Sequence, residues 1–369
     1  MSRPTDAEPH GAGAYEAPQH VALVGAGMIA RPHLRGLKNL GVPVSVCALE
    51  GAEELVQEIG WGQVVETLEE AIRDADLVDI VTPTSTHHQV ALRCLEAGKN
   101  VVVEKPLART SAQATELKDA AARNGAQIFV AHVVRFFPAY AALRQAVAQG
   151  RIGQVASARF TRTGGYPTWS PWFADTEASG GVIFDLMIHD LDVARWVCGE
   201  VTRVYATLVH RDGHQVGQIV LNHEGGAISY IRGTWGADGI PFTTTFNVAG
   251  DGGVLRFDSA AGTDFLLHNA PHLEEMKCRA AENTKGFDGA THAKAVGQSS
   301  EESGGVAAGT DPYECELAEF LDALSGETPP RVTVDDGIAA LRIAEAAAQS
   351  VACGQAISLS ASDKERLVS

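Results

Sequence analysis

The stretch Val21-Ala22-Leu23-Val24-Gly25-Ala26-Gly27-Met28-Ile29-Ala30 decides how the rest of the chain is read. Four consecutive apolar residues suit a strand covered on both faces. The six that follow match G-x-G-x-x-G/A where that strand would turn into a helix. There, Gly25 permits the tight turn and Gly27 lets the backbone approach a pyrophosphate with no Cβ in the way. Ala30 allows close helix-strand packing beside a helix N-terminus that faces the anion. Met28 and Ile29 fall inside the same turn and are assigned to the dinucleotide with the glycines. A second G-x-G, Gly11-Ala12-Gly13, follows no apolar run and is read as an ordinary turn.

Outward from that turn, apolar runs recur at Val44 to Leu49, Leu77 to Thr84, Asn100 to Pro106 and Gln127 to Val134. The amphipathic stretches between them end at Gly41, Gly98 and Gly125, each placed as a left-handed helix cap. This alternation predicts an α/β fold opening with an N-terminal Rossmann domain, a doubly wound parallel sheet. Beyond about Gln149 the runs alternate in character and are joined by Gly and Asp turns, which predicts a C-terminal α+β domain with a mostly antiparallel open sheet. One helix is expected at about Phe184 to Val197, and a closing pair at Glu314 to Ser325 and Val334 to Cys353. The domain reading is a flexible tail over 1–18, an NAD(P)-binding domain over 19–137 and a substrate-binding and oligomerisation domain over 138–369. Residues 269–310 form a polar loop, either a lid or a disordered segment.

Composition narrows the function. At 369 residues the chain suits about two domains. Its 29 basic against 46 acidic residues, net charge -17, work against binding a phosphate backbone, so no nucleic acid partner is expected. No run is long and apolar enough to span a bilayer, and no membrane partner is expected. Six scattered cysteines without a C-x-x-C pair fit a reducing cytoplasm. No metal site is expected from the dispersed histidines, and no G-x-S-x-G elbow points to a hydrolase.

The second strand is read as ending at Glu50, where a carboxylate can accept from ribose hydroxyls, or can simply be a solvated acid opening the next helix. From Gly41 to Ile72 no Lys or Arg is available for a 2'-phosphate. NAD is therefore favoured and NADP remains possible through Arg31 or Lys38. Lys105, closing the fifth strand, would stand beside the nicotinamide and could stabilise a developing alkoxide, or be a plain ion pair with Glu104. Asp185 and His189, spaced i,i+4, would share one helix face, extended by Asp192. His189 has the reference pKa suited to moving a proton, and a nearby carboxylate would stabilise its charged form. Trp169 and Trp172 could wall a sugar-shaped pocket or pack between domains.

With VGAGMIA, TPTSTH, EAGKNVVVEKPLA, HVVRFFP, SGGVIFDLMIHDLD and GETPPRVTVDDGIAALRIAEAA in this order, the chain resembles the Gfo/Idh/MocA family of oxidoreductases, the group that includes glucose-fructose oxidoreductase and inositol dehydrogenase. The resemblance runs from about Val21 to Leu359. It implies Lys105 as the active-site lysine, with Asp185 and His189 as a carboxylate-histidine pair at the substrate, His189 acting as acid/base and Asp185 orienting it or binding a sugar hydroxyl. Thr82, Pro83, His87 and Glu104 would lie along the cofactor, Arg135 at the substrate, and the Lys105-Pro106 peptide would be cis. The expected activity is hydride transfer between NAD(P) and a secondary alcohol or ketone of a sugar, glycoside or cyclitol, in a homodimer or homotetramer. The alternatives are an NAD-dependent glycosidase of the same fold and a non-catalytic dinucleotide-sensing regulator.

Overall fold

The computed structural model describes residues 20–359 apart from 169–170, 176–178, 212, 262–264, 270–275, 279–310, 325 and 327. The N-terminal tail, Trp169 and most of the 269–310 loop therefore lie outside the described residues.

Six strands form the first sheet: β1 (Val21–Val24), β2 (Val44–Cys47), β3 (Gln63–Val64), β4 (Leu77–Ile80), β5 (Asn100–Glu104) and β6 (Ile128–Ala131). Their order is β3-β2-β1-β4-β5-β6, and every pairing is parallel. This is the doubly wound arrangement the sequence predicts, reversing direction at β1 and β4. The crossovers are α1 (Ala30–Asn39), α2 (Ala52–Ile59), α3 (Leu68–Arg73), α4 (Thr84–Glu96) and α5 (Ser111–Asn124). Gly125 caps α5 in the left-handed region at φ 64°, as its sequence position implies.

After β6, a short 3-10 turn (Val133–Phe136) leads into α6 (Pro138–Ala148), which starts with the proline favoured at a first helical position. The second sheet then has nine strands: β7 (Val155–Gly165), β8 (Val201–Arg211), β9 (His214–His223), β10 (Ile228–Gly236), β11 (Thr243–Gly250), β12 (Gly253–Asp258), β13 (Phe265–Asn269), β14 (Met276–Cys278) and β15 (Ile357–Ser358). Only the β7–β10 pair is parallel among them. Strand β14 falls inside the segment expected to be a loop, so at least that part is paired backbone.

Among the described residues, beside a 3-10 turn at Pro171–Ala174, three longer helical elements remain, and each departs in one respect from the sequence expectation. The helix expected at Phe184 opens with a π turn, Ile183–Met187, running into α7 (Ile188–Cys198). The closing pair are α8 (Pro312–Leu324) and α9 (Val334–Cys353). Helix α8 does not close the second domain. It packs on the first sheet, with Leu317 and Phe320 in the same apolar core as Val21, Leu34 and Phe129. Helix α9 serves both sheets, because Ile338 and Leu341 enter the core under the first while Ile343 and Ala347 enter the core under the second. One rigid helix shared by two cores fixes how the sheets face each other.

Candidate active site

A cleft of about 500 Å3 opens where the carboxyl ends of β1, β4 and β5 meet the inner face of the second sheet. Gly25, Gly27, Met28, Ile29, Thr82, Pro83, His87, Glu104 and Lys105 line it from the first sheet, and Trp172, Asp185 and His189 from the other side. Lys105 and His189 thus share one cavity although 84 residues apart in the chain.

The glycine turn has the shape a dinucleotide requires. Gly25 sits at φ 116°, and a Cβ there would lie 2.8 Å from the Val81 carbonyl oxygen, so no other residue fits. A Cβ on Gly27 would meet nothing within 4 Å, leaving the open approach a pyrophosphate needs. No acidic residue occupies the first turn of α1 to compete for its N-terminus. Arg31 bonds Glu58 at 2.9 Å and the Gly27 carbonyl at 3.2 Å, while Lys38 donates to the Ile59 carbonyl at 2.6 Å. The two cations that could have received a 2'-phosphate are engaged elsewhere, in keeping with NAD. β2 stops at Cys47, and Glu50 is exposed outside the cleft lining, so its wall gains no acid from that position.

Behind the turn, His87 is buried with Nδ1 2.8 Å from the Pro106 carbonyl and Nε2 2.8 Å from the Thr82 carbonyl. Burial keeps its pKa below the usual value, so the neutral ring donates to one of the two. It fastens the end of β4 to the Lys105-Pro106 peptide, which is cis as the resemblance implies. Glu104 accepts the Lys105 backbone N–H at 2.8 Å and faces His33 at 3.3 Å, and His33 in turn lies 2.8 Å from Asp79. Burial opposes charge on His33, yet the two carboxylates win and hold its pKa well above normal. Glu316 of α8 is buried beside them, and burial with the nearby Glu104 charge pushes its pKa well up, so it keeps its proton.

Four expectations are corrected at and behind the second wall. Asp185 does not orient His189: it accepts from Lys105 Nζ at 3.0 Å through Oδ1 and at 2.8 Å through its carbonyl oxygen. Both contacts go to one cation that arrives from the other sheet, so Asp185 is held toward Lys105. His189 Nδ1 is buried with no hydrogen-bond partner among the described residues. Nor is its charged form favoured. Burial first, then Lys105, Arg162 and His132, lower its pKa well below 6.5.

Arg135 is not at the substrate. It is 1% exposed, absent from the cleft lining, and grips Asp192 through Nε at 2.8 Å and Nη2 at 2.6 Å. It also reaches Asp336 Oδ2 at 3.2 Å and the Arg331 carbonyl at 2.7 Å. Burial alone would raise the Asp336 pKa, but Arg135 and the Thr333 backbone N–H hold it far below the usual carboxylate range. A guanidinium enclosed by two carboxylates is a structural clamp between the end of β6, α7 and α9. Asp192 is spent on that clamp and does not extend the His189 face into the cleft.

Several lining residues escaped the sequence reading. Arg162 of β7 is buried and bonds Asp190 at 3.0 and 2.9 Å. Tyr313 of α8 and the rings of Phe173, Trp235 and Phe242 complete the lining. Asp190 follows His189 directly, which was a weak signal for a second acid near the site; Arg162 and Tyr313 carried none.

The helix bearing Asp185 and His189 is seated by an absence of side chains. Gly217 and Gly233 are cross-strand partners on β9 and β10. A Cβ on Gly217 would lie 2.6 Å from Met187 Sδ, and one on Gly233 would run into Met187 Cγ. Met187 occupies that bare patch and lets the π turn lie close against the sheet.

A parallel sheet with a glycine turn at its switch point, a lysine at a strand end and, across the cleft, an imidazole whose Nδ1 has no partner among the described residues define a dinucleotide-dependent oxidoreductase. Comparison with known proteins agrees. Residues 19–132 match the oxidoreductase family with NAD-binding Rossmann fold, and residues 140–256 match the GFO/IDH/MocA C-terminal domain. A 1,5-anhydro-D-fructose reductase from Ensifer adhaerens is 30% identical over 351 residues, spanning 90% of this chain and 96% of its own. An inositol 2-dehydrogenase from Rhizobium meliloti is 27% identical over 359 residues, with 91% and 98% covered. The solved structure of a levoglucosan dehydrogenase with NADH and levoglucosan superposes with a TM-score of 0.78 at 22% identity, covering 92% of this chain and 98% of that one, a likeness of fold. The chain belongs to the GFO/IDH/MocA family of NAD-binding oxidoreductases.

Proposed function

We propose that the chain is an NAD-dependent dehydrogenase or reductase acting on a secondary alcohol or ketone of a sugar or cyclitol. Relatives bearing sugar and inositol activities support the substrate class, and the observation that carries the reading is the shared cleft of Lys105 and His189. When bound, NAD supplies the hydride acceptor or donor. Neutral His189 takes the hydroxyl proton as the carbinol C–H bond breaks, and the Lys105 ammonium steadies the negative charge growing on oxygen. Asp185 holds Lys105 at that oxygen. Thr82, Pro83 and His87 shape the wall against which the nicotinamide end would rest, with Glu104 behind.

Residues 19–137 and 138–369 are proposed as the cofactor-binding and substrate-binding divisions, with α8 returning to the first. Among the described residues no helix is long and apolar enough to cross a membrane. We place the protein in the cytoplasm as a homodimer or homotetramer, paired through the outer face of the second sheet, where Tyr205, Val209 and Tyr230 are exposed.

The test supplies purified protein with sugars and cyclitols and with NAD or NADP separately, following coenzyme reduction. NAD should support turnover, and Lys105→Met and His189→Ala should each lose about 10²–10⁴-fold in rate while still binding NADH. Full activity in either variant would remove its assigned role.

A further inference from the structure

Every charged side chain in the cleft lining is already balanced. Lys105 pairs with Asp185 at 3.0 Å, Arg162 with Asp190 at 2.9 Å and Glu104 with His33 at 3.3 Å. The two lining histidines, His87 and His189, both have lowered pKa values and stand neutral. An anionic substrate would find no cation without an acid against it among the described lining residues, and would surrender its hydration without return.

The second-sheet wall is instead aromatic. Trp172 stacks on Phe173 with ring centroids 4.2 Å apart, and Phe173 meets Trp235 edge-on at 5.9 Å. Phe173 and Trp235 are buried behind, while Trp172 and Phe242 keep part of their surface open. Phe242 lies against β7 because Gly164 has no side chain: a Cβ there would be 3.1 Å from the ring. Arg162 stands 5.9 Å over one face of the Phe242 ring. Of the polar groups able to touch hydroxyls, Lys105 comes from the first sheet, while Asp185 and His189 stand beside the aromatic rings on the second.

We infer that the substrate is an uncharged sugar ring with an apolar face or apolar aglycone, and that Trp172 and Phe242 determine this preference. The inference rests on the sugar-oxidoreductase reading above and narrows it. A ring gripped by its hydroxyl edge at Lys105 and His189 turns its C–H face or aglycone to the part-exposed rings of Trp172 and Phe242, where burial of apolar area favours it. The reaction is unchanged: hydride leaves the carbinol carbon for NAD, the hydroxyl proton goes to His189, and a neutral ketone results.

The test is kcat/KM with NAD for methyl and phenyl glycosides of a panel of hexoses, set beside the matching hexuronic acids, with NADH affinity titrated in parallel. Neutral glycosides should exceed the hexuronic acids by at least about tenfold, with the phenyl glycosides best. Trp172→Ala and Phe242→Ala should lower kcat/KM for phenyl glycosides about tenfold, mainly through KM, and Trp172→Phe should recover most of the loss. Hexuronic acids used as well as neutral sugars, or phenyl glycosides unaffected in both alanine variants, would overturn the inference. So would NADH binding without turnover of any neutral sugar. Failure to bind NADH would instead strike the cofactor reading on which it rests.

Discussion

Lys105 and Asp185, 80 residues apart, are joined twice: Nζ donates to the Asp185 carbonyl oxygen at 2.8 Å and to Oδ1 at 3.0 Å. One partner ends a strand of the first sheet and the other sits in the π turn against the second. The ammonium is held at the junction of the two sheets, 15% exposed, with little freedom to drift from the cleft. Asp185→Asn keeps the carbonyl contact and removes the charge. Turnover should fall by about 10²-fold, the scale of a small misplacement at a reacting centre, with NADH affinity little changed. Steady-state rates beside NADH titration check it, and a wild-type rate would deny Asp185 its positioning role.

With His189 as the proposed base, its lowered pKa should set the acid limb of activity. For alcohol oxidation the neutral ring is the active form, so kcat/KM should stay level as pH falls through 6.5 and drop only well below it. Removing a neighbouring positive charge makes the imidazolium easier to form, and Lys105→Met should move what activity remains toward a higher acid limb. Because burial is the larger cause, that limb should still lie under 6.5. A wild-type limb at or above 6.5 would contradict the site's electrostatics.

Arg135→Ala leaves Asp192 buried without its partner and should cost about 3–5 kcal/mol of stability. Lysine should not rescue it, since one ammonium cannot reproduce the two parallel bonds to Asp192 together with the reach to Asp336. Denaturant unfolding measures this. Unchanged stability with a raised KM would return Arg135 to the substrate.

Gly233→Ala forces a methyl group into Met187 and should destabilise by about 1–3 kcal/mol. Because Met187 sits two residues from both Asp185 and His189, the same change should lower kcat. Adding Met187→Ala should restore part of the stability, as the clash partner is gone. Full activity in Gly233→Ala would mean that the π turn does not depend on this seat.

Local signals reached far into this protein. A glycine turn after an apolar strand is written in adjacent residues, because the chemistry it serves is a backbone conformation, and Gly25 takes the positive φ that its place in the motif demands. Strand-helix alternation likewise needs only neighbours to be read, and the parallel sheet followed from it. Lys105, Asp185 and His189 were legible as candidates, and all three line the cleft. Their pairing was not. The i,i+4 spacing suggested that Asp185 serves His189, whereas Lys105, arriving from the other sheet, gave it another partner.

Sequence by itself determined the elements and the glycine turn and supplied the candidate residues, since each is read from residues within a few positions of one another. Tertiary structure decided which charges are spent and which face the cleft. Arg135 reads as a possible ligand until Asp192 and Asp336, 57 and 201 residues away, enclose it. Arg162 and Phe242 acquire their place only when β7 and β11 pair. Electrostatic and packing energies fall off within a few ångströms of space, and chain distance says little about which groups come that close.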